Sequence, residues 1–248
     1  IHALWTIHGL GLLDGTNKDA SKAALTALHH PSAGVRRTAI QVLPPVEDST
    51  EAIIDAKLCF DREPQVRLAA LLALADLPAV PEAGEHLVEV MQLPQNEGDR
   101  WIPDAATCAA ANHSVPFLKA LASSKVQSGP LLEMATVVSE HFARGEPVND
   151  ALTLCESLQD AHPAISGAII RGLAAGWAED REHAETAGIA SLVSKLLPQL
   201  SVADRGLLIQ LATRWGSDSL DEYIAQVRES LLDQLDDPDA SLEQRVTA

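Results

Sequence analysis

Apolar residues recur along the chain at intervals of three and four, the period of a helix with one buried face, and nothing alternates with period two for long. The clearest pair of segments is His30-Pro31-Ser32-Ala33-Gly34-Val35-Arg36-Arg37-Thr38-Ala39-Ile40 and Asp61-Arg62-Glu63-Pro64-Gln65-Val66-Arg67-Leu68-Ala69-Ala70-Leu71, offset by 31 residues. Each reads as a turn followed by the start of a helix. Pro31 and Pro64 sit at or before the first turn, where a missing amide hydrogen costs least. Val35, Ala39 and Val42, and likewise Val66, Ala70 and Leu74, form the apolar stripe of each helix, and the small Ala lets a neighbour come close. The same frame continues at Trp101 with Ala105, Leu131 with Ala135, Ala164 with Ala168, Ala203 with Leu207, and Gln244-Arg245 with Ala248.

Between these second helices lie first helices of similar pattern, at 18–29 (Ala23, Leu25, Leu28), 49–60 (Ile53, Ile54, Leu58), 81–92 (Leu87, Val90, Met91), 114–122, 148–158 and 187–199 (Ile189, Leu192, Val193, Leu196). A long amphipathic helix is expected over 217–235. Turn signals separate the elements: Asp14-Gly15-Thr16-Asn17, Pro44-Pro45, Leu77-Pro78, Pro94-Gln95-Asn96-Glu97-Gly98, Gly145-Glu146-Pro147 and Gly216-Ser217. The pattern predicts an all-α chain, an α-solenoid of about seven antiparallel helical hairpins in which each hairpin buries its face against the next. One array over residues 1–248 is expected, with an irregular joint at 178–188. Both ends, at Ile1 and Ala248, look cut from something longer.

Composition agrees with helices. Hydrophobic residues make up 46% of the 248, but aromatics only 3%, so the core must consist of small aliphatic side chains, led by the strong helix formers Ala and Leu. A net charge of −17 argues against a sequence-independent grip on DNA or RNA, which needs Lys and Arg on the phosphates. No run of apolar residues is long enough to predict a membrane span.

The Asp61, Val66, Arg67 and Ala70 spacing resembles the HEAT repeat. Asp239, Arg245 and Ala248 match with Gln244 in place of Val, and Arg36 and Ala39 match with His30 where Asp is expected. The resemblance implies a ladder of Asp and Arg between successive repeats, carried over here to Asp61, Arg67, Asp239 and Arg245, with Arg36 as a further member. From about 100 to 215 the apolar frame persists and the ladder residues are lost. The opening Ile1-His2-Ala3-Leu4-Trp5-Thr6-Ile7-His8-Gly9-Leu10-Gly11-Leu12-Leu13-Asp14 resembles the start of the HEAT array in large secreted bacterial proteins, which carry a sugar-dehydrogenase-like propeller before it and a c-type cytochrome domain after it. That resemblance implies a helical spacer in a periplasmic or secreted redox protein. Apart from it, the compartment stays open.

Candidate chemistry is sparse. Of the nine His, His29 and His30 are adjacent at a helix end, His2 and His8 are six apart, and His86, His113, His141, His162 and His183 are scattered one per hairpin, with no spacing that brings three or four ligands to a metal. Cys59, Cys108 and Cys155 have no Cys-x-x-Cys pair and read as small buried residues. The acidic turn Asp236-Asp237-Pro238-Asp239 lacks the alternation and central Gly of a calcium loop. No nucleophile elbow, phosphate-binding glycine loop or zinc-protease motif occurs. No catalytic, cofactor or metal residue is therefore assigned. Trp5, Trp101, Trp177 and Trp215 each fall near a helix end, at least half of them expected as packing anchors between hairpins, and Arg37, Arg100 and Trp101 are the candidate contact residues of the second-helix face. The expected function is a non-catalytic scaffold that spaces or docks other protein domains. The alternatives are a wall of an oxidoreductase's substrate or electron-transfer interface and, disfavoured by charge, a HEAT-like DNA glycosylase.

Overall fold

The computed structural model describes residues 1–125, 128–145, 148–178 and 188–217, together with 224, 225 and 229. Among them the regular structure is helical, with no strand. In chain order the helices begin with α1 (His2–Gly9), α2 (Lys18–Ala27), α3 (Ala33–Val42), α4 (Glu47–Asp55), α5 (Pro64–Asp76), α6 (Ala83–Val90) and the single turn α7 (Pro94–Glu97). There follow α8 (Ile102–Asn112), α9 (Ser114–Ser123), α10 (Gly129–Ala143), α11 (Val148–Ser157), α12 (Pro163–Gly176), α13 (Ile189–Leu196) and α14 (Val202–Arg214). Most of the expected 217–235 helix, the interior of the expected joint at 178–188, and both Asp239 and Arg245 lie outside the described residues.

The helix starts follow from local chemistry. Asn17, Ser128 and Ser201 each accept the backbone N–H three residues on, and Pro64 and Pro163 occupy first helical positions. The segment expected as one helix over 49–60 is broken. α4 stops at Asp55, Lys57 turns into the left-handed region (φ 52°), and a 3-10 turn over Leu58–Phe60 completes it. Likewise the 94–98 turn signal folds as the short helix α7.

By its contacts the chain divides into two compact units, Ile1–Ala120 and Leu121–Ala248, with the boundary inside α9. In the first, α3 packs against α1 and α5, and α5 against α8, while α2, α4 and α6 pack on α3, α5 and α8 respectively. Its core is aliphatic, with Ile53, Val66, Ala70, Leu71, Leu74, Leu87, Val90, Ala106 and Leu118 wholly buried. In the second, α12 packs between α10 and α14, and α13 covers α14. Here Leu131, Val138, Leu154, Ile165, Leu173, Leu208 and Leu211 are wholly buried, and Trp177 meets Trp215 edge to face at 5.3 Å.

The α10–α12 seam is closely packed. Ala168, Gly172 and Gly176 form a four-residue repeat on α12, and a Cβ at Gly172 or Gly176 would run into the backbone oxygen of Thr136 or Glu140. Thr136 Oγ1 donates to Ala168 O at 3.2 Å across the same seam.

Expectations on three helices are corrected, among them the buried frame at Ala203 and Leu207. On α2 the buried face is Ala20, Ala24 and Leu28, leaving Ala23 and Leu25 exposed. On α8 it is Ile102, Ala105, Ala106, Ala109 and Ala110, so Trp101, 57% exposed, is not part of the frame. On α14 it is shifted by one, to Asp204, Leu208, Leu211 and Ala212, because Asp204 is drawn inward by the hydroxyl of Ser201 and the guanidinium of Arg171. Cys108 is exposed, on the solvent side of α8, while Cys59 and Cys155 are buried. Burial pushes the thiols of both buried cysteines up to about 12, which leaves them protonated and inert.

Candidate interaction surface

The fourth residue of each second helix decides how its turn is held. In α3 this is Arg36, in α5 Arg67 and in α14 Arg205; in α8, α10 and α12 it is Ala105, Leu132 and Ser166. Each Arg reaches back over its own turn to carbonyls five to seven residues earlier. Arg36 Nη1 donates to His30 O (2.8 Å) and Pro31 O (3.0 Å), Arg67 Nη1 to Asp61 O (2.9 Å) and Arg62 O (3.4 Å), and Arg205 Nε to Leu200 O (3.0 Å). A planar guanidinium has enough donors left to bind a neighbour as well.

Arg36 uses them on Asp61, in the next turn. Nε and Nη2 donate to the two carboxylate oxygens at 2.6 and 2.7 Å, with both side chains nearly buried. Burial alone would raise the Asp61 carboxyl. The hydrogen bonds from Arg36 and from Glu63 N–H, together with the Arg36 charge, outweigh it and hold the group below its ordinary value. His30, at the position where the HEAT pattern has Asp, contributes a carbonyl to this cluster, and its ring nitrogen caps Ser32 N–H.

Arg67 finds a neutral partner instead. Its Nε donates to Asn96 Oδ1 at 2.9 Å, and Asn96, 1% exposed, donates in turn to Val90 O. Asp99 stands where Asp61 stands one turn earlier and accepts Trp101 and Ile102 N–H. These bonds, with the charge of Arg67, lower its pKa, but it makes no bond to that guanidinium. Sequence reasoning missed both Asn96 and Arg205. For Arg205 the signal was Gln199 six residues before it, the same spacing as Asp61 to Arg67.

The opposite ends of the second helices are joined too. Asn112 and His113, at the end of α8, hold the end of α5: Asn112 donates to Leu74 O and Leu77 O, and the ring of His113 bridges Leu74 O and Val80 N–H. Those two contacts fix the neutral Nε2–H tautomer of a fully buried histidine. In the second unit Arg214, at the end of α14, donates to Ala174 O and Trp177 O at the end of α12, and Arg171 pairs with Asp204. His86 is buried against Phe60 without a partner for Nε2; burial, helped by the charge of Lys57, pushes its pKa down to about 4.

The candidate contact residues all face solvent. Arg37 lies on α3 and forms no ion pair with a described residue. Arg100 stacks its guanidinium 4.7 Å over the Trp101 ring just before α8. α5 packs against both α3 and α8, so Arg37 is not brought to Trp101. Two large apolar side chains stand out along these helices, Leu72 on α5 (49% exposed) and Trp101, with Val137 on α10 in the second unit. Trp5 is also exposed, so two of the four Trp, Trp177 and Trp215, are packing anchors, half of the set, as expected.

Among the described residues no group of three His, Cys, Asp or Glu side chains is placed to hold a metal ion, and no helix is long and apolar enough to cross a membrane. No protein-family model, curated protein or solved structure is significantly similar to this chain.

Proposed function

We propose that this chain is a non-catalytic scaffold, a HEAT-like α-solenoid whose second helices present a docking face for other protein domains. The observation that carries the reading is the pairing of like ends of successive second helices. The start of α3 is tied to the turn that starts α5 by Arg36 and Asp61, and the end of α5 to the end of α8 by Asn112 and His113. Helices tied start to start and end to end run parallel, which is how repeats stack in a solenoid and unlike the up-and-down order of a bundle. Each stacked helix then leaves a side to solvent; Arg37 is exposed on α3, Leu72 on α5, and the Arg100–Trp101 stack at the start of α8.

The test is site-specific photo-crosslinking in extract of the source cells. A crosslinking residue at Leu72 on α5 or at Trp101 before α8 is expected to trap a protein that the same residue at Glu89, exposed on α6, does not. Equal adducts from all three positions would contradict the assignment of the face.

A further inference from the structure

A cavity of about 360 Å³ lies in the first unit, on the side of the first helices, within the size range of binding pockets. The turn Leu13–Gly15, one face of α2 (Ser21, Ala24, Leu25), the Leu43–Val46 segment and the start of α4 enclose it. Its walls are mostly aliphatic, and Leu25 and Val46 stand 41% and 45% exposed.

The only ionisable groups in the lining are two carboxylates, Asp14 and Asp48, and neither forms an ion pair with a described residue. Asp14 accepts Thr16 N–H and Thr16 Oγ1–H through Oδ1, at 2.9 and 2.6 Å; these bonds favour the charged form and leave Oδ2 without a described partner. Asp48 is accounted for in part by the start of α4, where a carboxylate suits the helix dipole. That role does not explain a second carboxylate from another element beside the same apolar cavity. Ser21 already donates its hydroxyl to Asn17 O, and Lys18 and Lys22 of α2 are not in the lining.

We propose that this pocket docks a short basic segment of a partner protein, its aliphatic or aromatic side chain filling the cavity while adjacent Lys or Arg reach Asp14 and Asp48. Charge complementarity names the occupant: an apolar hollow with two unpaired anions at its edge, on a chain of net charge −17, attracts cationic segments and repels acidic ones. The site lies on different helices from the face proposed above, so the two readings fail separately.

The experiment is selection of a random heptapeptide display library on the whole protein, followed by affinity measurement of the enriched peptides. The expected consensus is a Leu, Ile, Met or Phe flanked by Lys or Arg. Asp14→Asn and Asp48→Asn should each weaken binding up to about fivefold, as for exposed ion pairs, and the loss should shrink at high salt. Leu25→Lys and Val46→Lys, at exposed positions, should abolish binding while the melting temperature stays unchanged, and Trp101→Ala should leave binding intact. The proposal is overturned if no peptide is enriched, if the enriched peptides lack basic residues, or if they bind the Leu25→Lys protein as well as the original. Peptides lost with Trp101→Ala but kept with Leu25→Lys would belong to the second-helix face and likewise overturn the pocket, while supporting the docking reading. Hexylammonium ion binding as tightly as the peptides would put a free organic cation in the pocket instead.

Discussion

Arg36 and Arg37 are neighbours in sequence with opposite fates, and their contrast is the sharpest test at the residue scale. Arg36 is buried, forked onto Asp61 and clamped to two carbonyls, whereas Arg37 points to solvent. Removing one partner of a buried, hydrogen-bonded pair strands the other charge and costs about 3–5 kcal/mol. Arg36→Ala and Asp61→Ala should therefore lower the melting temperature of the first unit by several degrees, Arg67→Ala by less because Asn96 is neutral, and Arg37→Ala hardly at all. Equal melting for the four variants would refute the assignment.

His86 gives a pH signature at the same scale. Unfolded, it takes up a proton near pH 6.5; folded, it resists until about 4. Its contribution is complete above about 6.5 and is lost as the pH falls toward 4, on the order of 3 kcal/mol by then. Thermal melts at pH 7 and pH 4.5 should differ less for His86→Leu than for the parent chain; an unchanged difference would contradict the burial of a neutral ring.

At the scale of elements, the α10–α12 seam separates two kinds of helical glycine. Gly176 lies against the backbone at Glu140, so Gly176→Ala should overpack the seam and cost about 1–3 kcal/mol. Gly206, inside α14 with open space where its Cβ would be, should respond in the opposite sense, with Gly206→Ala gaining up to about 1 kcal/mol of helix propensity. Chemical denaturation of the two variants checks both signs.

The helices themselves were legible because apolar spacing and breakers coincide, and the six-residue spacing from Asp61 to Arg67 was legible as a motif. Faces were less so. On α8 the only sign of the wet side is Asp104 and Asn112, four residues before and after Cys108, and the run of Ala between them hides that face. At α14 an aspartate occupies the inward position and displaced the apparent frame by one. Asn96 was hidden because an extra helical turn, α7, moves the partner of Arg67 three residues ahead of Asp99, where spacing would have put it.

At the scale of the molecule, the central claim is that second helices succeed one another in parallel within each compact unit. The small-residue core and low aromatic content are what such stacking needs, since each interface is a repeated close approach and no single large core has to be filled. The most direct test places pairs of nitroxide labels at the exposed starts of α3, α5 and α8, through Gly34→Cys, Gln65→Cys and Asp104→Cys, in a Cys59→Ala, Cys108→Ser, Cys155→Ala background. Packed helix axes lie about 8–10 Å apart, so a stack predicts an α3–α8 separation by dipolar EPR close to twice that of α3–α5. An α3–α8 separation equal to the α3–α5 one, as in a closed bundle, would contradict the account.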